Sequence, residues 1–272
     1  MRAYFIARHS DCAALLRHPD IGFEDLSNLE KVPPELKGYF EMRRQLMLFQ
    51  NPPEHAATRK AGEAKLQGMS SAEMEEVIRS SARRLLKKLD QGECEFIAEI
   101  ARPFVAEVIA GVLGASNLDL SEVTRLAQDL ADSLDPLSDL NSRSVAGERY
   151  LALKKEVASG CPFSGVPDLS GLVMLIAAGL QTTGHILGLA MRSLLFEERS
   201  FELDAKAIEE LYRFHSPAQM TRRVVLREVT IGEKILRPDT VLWLGLASAN
   251  RDEEVFRVPH ELDFSRSPNR HL

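Results

Sequence analysis

The sequence predicts a mainly α fold with a small β-hairpin or sheet region late in the chain. Three observations carry this. Apolar residues recur at helical spacing over most of the length. Helix-starting residues stand just ahead of several of those stripes. Only residues 224–231 and 234–242, around a Gly232-Glu233 turn, read as paired strands.

Each element follows from local signals. Ser10 is placed to cap a short helix over residues 11–17 that Pro19 ends. Ser70 and Glu73 form a capping box. The helix they open carries Met74, Val77, Ile78, Ala82, Leu85, Leu86 and Leu89 on one side, and Gly92 breaks it. A second long helix spans about 94–113 with Pro103 inside, and Gly114 stops it. A third runs from Ser121 to about 134, and another covers roughly 142–157. Residues 160–167, rich in Gly and Pro, form a loop. A long Gly- and Ala-rich apolar helix follows over 169–195. Asp204 caps the next helix, which Pro217 terminates. No internal repeat or low-complexity tract interrupts the pattern, so one domain over residues 1–272 is expected.

Composition narrows the function classes. At 272 residues, 44% hydrophobic and 27% charged, the chain matches a soluble globular protein with a sizeable core. A net charge of −6 argues against a nucleic-acid partner. No apolar run is long enough to span a membrane, and the first residues lack a signal-peptide stretch, so a cytoplasmic location is expected. Cys12, Cys94 and Cys161 are few, odd in number and far apart, which suggests reduced thiols.

Six motifs stand in a consistent order: Asn51-Pro52-Pro53-Glu54-His55 with Arg59; Ala178-Gly179-Leu180-Gln181-Thr182-Thr183; Glu210-Leu211-Tyr212-Arg213; residues 216–223 ending in Arg223; Ala249-Asn250-Arg251-Asp252; and residues 259–266 ending in Arg266. Together they resemble the cytochrome P-450 superfamily, bacterial members in particular. The resemblance implies a truncated cytochrome P-450-like fold. It also implies that His55, Arg59 and Arg223 sit at the positions that contact the haem propionates, so these three are candidate anion-binding residues. Ala178, Gly179, Gln181 and Thr182 match the helix at the oxygen-binding groove and are expected to line an apolar small-molecule pocket. The competing reading is that Thr182 bonds back to its own helical turn. Glu210 and Arg213 match a structural ion pair. Glu261 stands where the family has a basic third partner.

Departures from the family shape the expectations. The chain stops at Asn269-Arg270-His271-Leu272, where the family continues into the cysteine loop that ligates haem iron and then a final helix. The stretch between about 150 and 169 is short. Gln181 replaces an acid, and an amide cannot relay protons as an acid does. No cofactor is therefore expected, because thiolate ligation of haem is not possible from the family motif. Asp129 and Asp132, with Asp135 and Asp139, form an acidic series that is either a solvated face or an Mg²⁺ site for a diphosphate. The expected function is a haem-free protein performing non-redox chemistry on a natural product, such as terpenoid cyclisation, isomerisation or elimination. One alternative is a non-catalytic auxiliary protein that stabilises a partner such as a glycosyltransferase. The other is a fragment of a haem monooxygenase. A protein partner or homodimer covering the truncated face is expected alongside the small-molecule ligand.

Overall fold

The computed structural model describes residues 2–26, 30, 32–66, 68–112, 120–134, 138–158, 169–196, 203–232 and 234–272. Cys161, Asp135 and the whole 160–167 loop lie outside the described residues. The chain divides into two compact units, Met1–Glu24 with Ile186–Leu272, and Asp25–His185. Mainly helical architecture with a small sheet late in the chain is what the sequence predicts.

The second unit is helical. Its elements are α2 (Lys37–Gln45), α3 (Glu54–Leu66), α4 (Ser71–Leu86), α5 (Arg102–Val112), α6 (Leu120–Leu134), α7 (Leu140–Ala158) and most of α8 (Leu169–Phe196). The capping box at the start of α4 is present: the Ser70 side chain accepts from the Glu73 amide, and the Glu73 carboxylate accepts from the Ser70 amide. Of the predicted α4 stripe, Leu85 is buried and Ile78, Leu86 and Leu89 are exposed. The helix predicted over 94–113 runs without a gap over residues 96–112, but changes its hydrogen-bonding register on the way. A π-turn over Phe96–Ala101 precedes α5, and Pro103 falls in the first turn of α5. The change from π to α hydrogen bonding falls at this proline, which has no N–H to donate. The close crossing of α2 and α7 rests on Gly147, where a Cβ would overlap the backbone of Gly38 and Tyr39. Tyr39 Oη donates to the Ser133 carbonyl at 3.2 Å, and Tyr150 Oη donates to Gln45 Oε1 at 2.9 Å, so both buried phenols are satisfied.

The first unit holds a four-stranded sheet with α1 (His9–Leu16), α9 (Ala205–His215) and α10 (Leu246–Ala249). The sheet order is β1 (Ala3–Ile6), β6 (Val241–Leu244), β3 (Thr221–Val225), β2 (Ile21–Gly22), with β1 parallel to β6 and the rest antiparallel. The predicted hairpin is really two nested pairs. β4 (Val229–Ile231) and β5 (Lys234–Leu236) make a separate ribbon, while β3 turns away to pair with β6. The switch occurs at the exposed Arg227-Glu228 pair and at Asp239, whose φ of 63° forces a tight turn after Pro238. Cys12, Leu15, Ile21, Val225, Leu242 and Leu244 form the core beneath the sheet. The start of α1 also differs from the prediction. Ser10 caps nothing; Asp252, from the far end of the chain, accepts the His9 amide at 2.8 Å. A capping acid supplied 243 residues away has no local signature.

One buried polar network fixes the end of the chain to α9. Arg213 and Glu210 are both fully buried. The Arg213 guanidinium uses all five donors: Nε and Nη2 to the Glu210 carboxylate at 2.8 Å each, Nη1 to the Asn250 and Pro259 carbonyls, and Nη2 also to the Glu261 carbonyl. Glu210 accepts in addition from Arg266 Nε, Asn269 Nδ2 and the Asp263 amide, each at 3.0 Å. The basic third partner is thus Arg266; Glu261 contributes only its backbone carbonyl. Asn250 donates to Ser216 Oγ and accepts the Leu272 amide, each at 2.8 Å. Removing the charge of Glu210 leaves two cations under-compensated, one wholly buried and the other nearly so. Glu210→Gln is expected to cost about 3 kcal/mol or more, read as a fall in the urea midpoint. A loss below about 1 kcal/mol, the scale of a surface pair, contradicts the assignment.

A second polar contact joins α8 to α9. Ser193 Oγ and His215 Nε2 lie 2.9 Å apart. Burial, then Arg251 and Arg192, push the His215 pKa below the usual imidazole value. A depressed histidine pKa means that the unfolded chain binds more protons below pH about 6.5. Stability is therefore expected to fall as pH drops from that value towards the folded pKa. His215→Asn should flatten this slope in unfolding midpoints measured from pH 7 to 5; an unchanged slope contradicts the contribution.

Candidate functional site

Arg223 is the most distinctive of the predicted site residues. It sits in β3, opposite Leu242 of β6. Its guanidinium lies over the Phe23 ring, 4.4 Å from the centroid. Nη1 donates to Thr221 Oγ1 at 2.7 Å and to the Arg222 carbonyl at 2.8 Å. Among the described residues no carboxylate pairs with it. Burial lowers its proton affinity from the usual guanidinium value, although an arginine keeps its charge under such conditions. Its neighbour differs. Arg222 is neutralised by Glu24, to which Nη1 donates. The strand therefore presents one paired and one unpaired cation. An unpaired, partly desolvated guanidinium suits a carboxylate or phosphate ligand.

His55 and Arg59 lie four residues apart on α3, so they share a face. His55 is half-buried, and Arg59 is exposed and paired with Glu63 at 2.7 Å. A surface pair of this kind holds Arg59 weakly, at about 0–1 kcal/mol.

The α8 residues divide by role. Gly179 meets α5: a Cβ there would overlap Ile109, so close helix packing explains this glycine. Ala178 is half-buried and its carbonyl accepts from Thr182 Oγ1 at 2.8 Å. Thr182 is exposed. Gln181 reaches α6, donating from Nε2 to Gln128 Oε1 at 3.4 Å. Both acids of the candidate metal pair are engaged locally. Asp129 lies 2.8 Å from Arg149 Nε, near but poorly aligned for a hydrogen bond, and Asp132 accepts from Gln128 Nε2. A surface pocket of about 490 Å³ is lined by residues 253–259 and contains none of the predicted site residues.

Sequence reasoning missed Phe23 and Glu24. Their partners on β3 lie some two hundred residues away, and only the β2–β3 register reveals them. Of the cysteines described, Cys12 is buried, its sulfur donates to the Ile6 carbonyl at 3.4 Å, and burial pushes the thiol up to about 11. Such a thiol stays protonated and is no ready metal ligand.

No family profile matches the chain. Individual proteins do. The biotin biosynthesis cytochrome P450 of Bacillus subtilis (strain 168) is 24% identical over 310 residues, covering 99% of this chain and 75% of that protein. The polyketide biosynthesis cytochrome P450 PksS of the same organism is 25% identical over 301 residues, covering 99% and 74%. Among solved structures, P450BioI in complex with an acyl carrier protein ligated to hexadec-9Z-enoic acid superposes with a TM-score of 0.81 at 23% identity, covering 98% of this chain and 77% of that one.

These comparisons overturn the expectation of no cofactor. The matched relatives are cytochromes, haem proteins by definition, and they align with nearly all of this chain. Where the chain stops says nothing about what ligates iron. Among the described residues, no group of three or more His, Cys, Asp or Glu side chains is placed to hold a metal. The structural match and the sequence matches agree, and the chain is a relative of the cytochrome P450 superfamily that spans about three quarters of the length of its curated counterparts.

Proposed function

We propose that this chain is the body of a haem monooxygenase acting on an apolar small molecule of natural-product metabolism. The observation that carries the reading is Arg223, a charged side chain held in partly desolvated surroundings with no acid to pair it among the described residues. Haem presents carboxylates on one edge, and a guanidinium with free N–H groups fits them. His55 and Arg59 stay assigned to carboxylate binding as positions matched to the family motif. Iron ligation is assigned to none of the described cysteines.

When bound, haem supplies the activation of molecular oxygen. The chain's own residues bind and orient. Arg223 would neutralise a carboxylate and fix the orientation of the ring that carries it. Gln181 can donate and accept hydrogen bonds but cannot lose a proton at neutral pH. Thr182 commits its hydroxyl hydrogen to the Ala178 carbonyl, which leaves its oxygen as an acceptor. The polyketide biosynthesis relative and the solved complex with a hexadec-9Z-enoic acid-ligated acyl carrier protein support a substrate drawn from fatty-acyl or polyketide chemistry.

Hemin titration tests the reading. The protein should develop a saturable Soret band. Arg223→Ala should raise the hemin Kd at least about tenfold, the loss of one charge-assisted hydrogen bond to a carboxylate. A titration with no saturable band in the unmodified protein would sink the proposal.

A further inference from the structure

The ladder between β2 and β3 pairs Ile21 with Val225 and Gly22 with Val224. Continuing that register places Phe23 opposite Arg223 and Glu24 opposite Arg222. The contacts follow suit, an aromatic ring beneath one arginine and a carboxylate on the next. Side chains alternate between the two faces of a strand, so the two cations point to opposite sides. One side is neutralised and the other is not.

The geometry around Arg223 leaves one part of the guanidinium open. Nη1 is turned back onto the chain's own Thr221 and Arg222. The Phe23 ring covers a face. Among the described residues, Nε and Nη2 have no acceptor. These two N–H groups form the edge that binds a carboxylate bidentately. An aromatic ring at position 23 attracts the cation while offering no oxygen that would compete for that edge. An acid in its place would close the site, as Glu24 does for Arg222.

We propose that Phe23 is a positioning residue for Arg223: its ring clamps the guanidinium so that the Nε–Nη2 edge faces a ligand carboxylate. This rests on the haem reading above, and its test separates the two. Protoporphyrin IX and its dimethyl ester differ only in the carboxylates, and neither carries iron. Binding is read by quenching of Trp243, the single tryptophan, which lies opposite Arg222 on β6.

The unmodified protein should prefer the diacid over the diester by about tenfold. Phe23→Leu should narrow that preference about threefold, the scale of a cation–π contact. Phe23→Tyr, which keeps the ring face, should retain it. Phe23→Met serves the same end should leucine disturb the sheet. An undiminished preference in Phe23→Leu overturns the proposal. So does an equal loss for diacid and diester, which marks a packing role only. If the unmodified protein shows no preference for the diacid, the haem reading itself fails, whatever residue 23 does.

Discussion

The first unit depends on the Glu210 carboxylate, which receives five hydrogen bonds in a site closed to water. A buried carboxylate is costly unless every lone pair is met and a counter-charge stands beside it. Here α9 supplies the acid and the first cation three residues apart, which puts both on one helix face. The remaining donors come from Asp263, Arg266 and Asn269, in a segment with no regular secondary structure. Those residues have no sheet or helix ladder to hold them, so the network does that work. Arg213 extends it to the carbonyls of Asn250, Pro259 and Glu261. Asn250 then carries it to the last residue of the chain through the Leu272 amide.

Two arginines ten residues apart show how partners decide role. Arg213 has five acceptors for its five donors, is fully buried, and has nothing left to offer a ligand. Arg223 is half-buried and uses one nitrogen on its own strand. Burial disfavours the charged form of Arg223, and among the described residues only Arg213 of the two is compensated by an anion. A protein gains no stability from leaving a desolvated cation unpaired, so the arrangement makes sense where an anion arrives from outside. The contrast with Arg222, one residue earlier and paired with Glu24, shows that an acid was within reach of this strand and was placed on the other face.

The fold was legible where its signals are local. The Ser70–Glu73 capping box, the Asp204 cap and the long apolar helix over 169–196 need only neighbours in sequence, and each is present. The failures share a cause. The cap of α1 comes from Asp252, the partner of β3 at one edge is β2, and the third member of the Glu210 cluster is Arg266 rather than Glu261. Each depends on residues brought together by tertiary structure, which periodicity does not encode. Arg223 was legible through its motif, but the reason it is available, the pairing of Phe23 and Glu24 across the sheet edge, was not. The expectation of no cofactor failed for a different reason: it rested on the last residues of the sequence, whereas the relatives that align with nearly all of the chain are cytochromes.

The same distinction bears on proton supply. Gln181 and Thr182 lie side by side on α8, yet they face different surroundings. The Gln181 amide reaches the Gln128 side chain of α6, and the Thr182 hydroxyl is exposed and bonds to the preceding turn. Neither is an acid at neutral pH. A hydroxyl that donates to its own helix can still accept from water, so Thr182 can order a solvent molecule but not initiate a transfer. An amide fixed by a neighbouring amide does the same with less freedom. Neither side chain is therefore itself the source of a proton at this position: the hydroxyl is committed to its own turn and the amide to its neighbour.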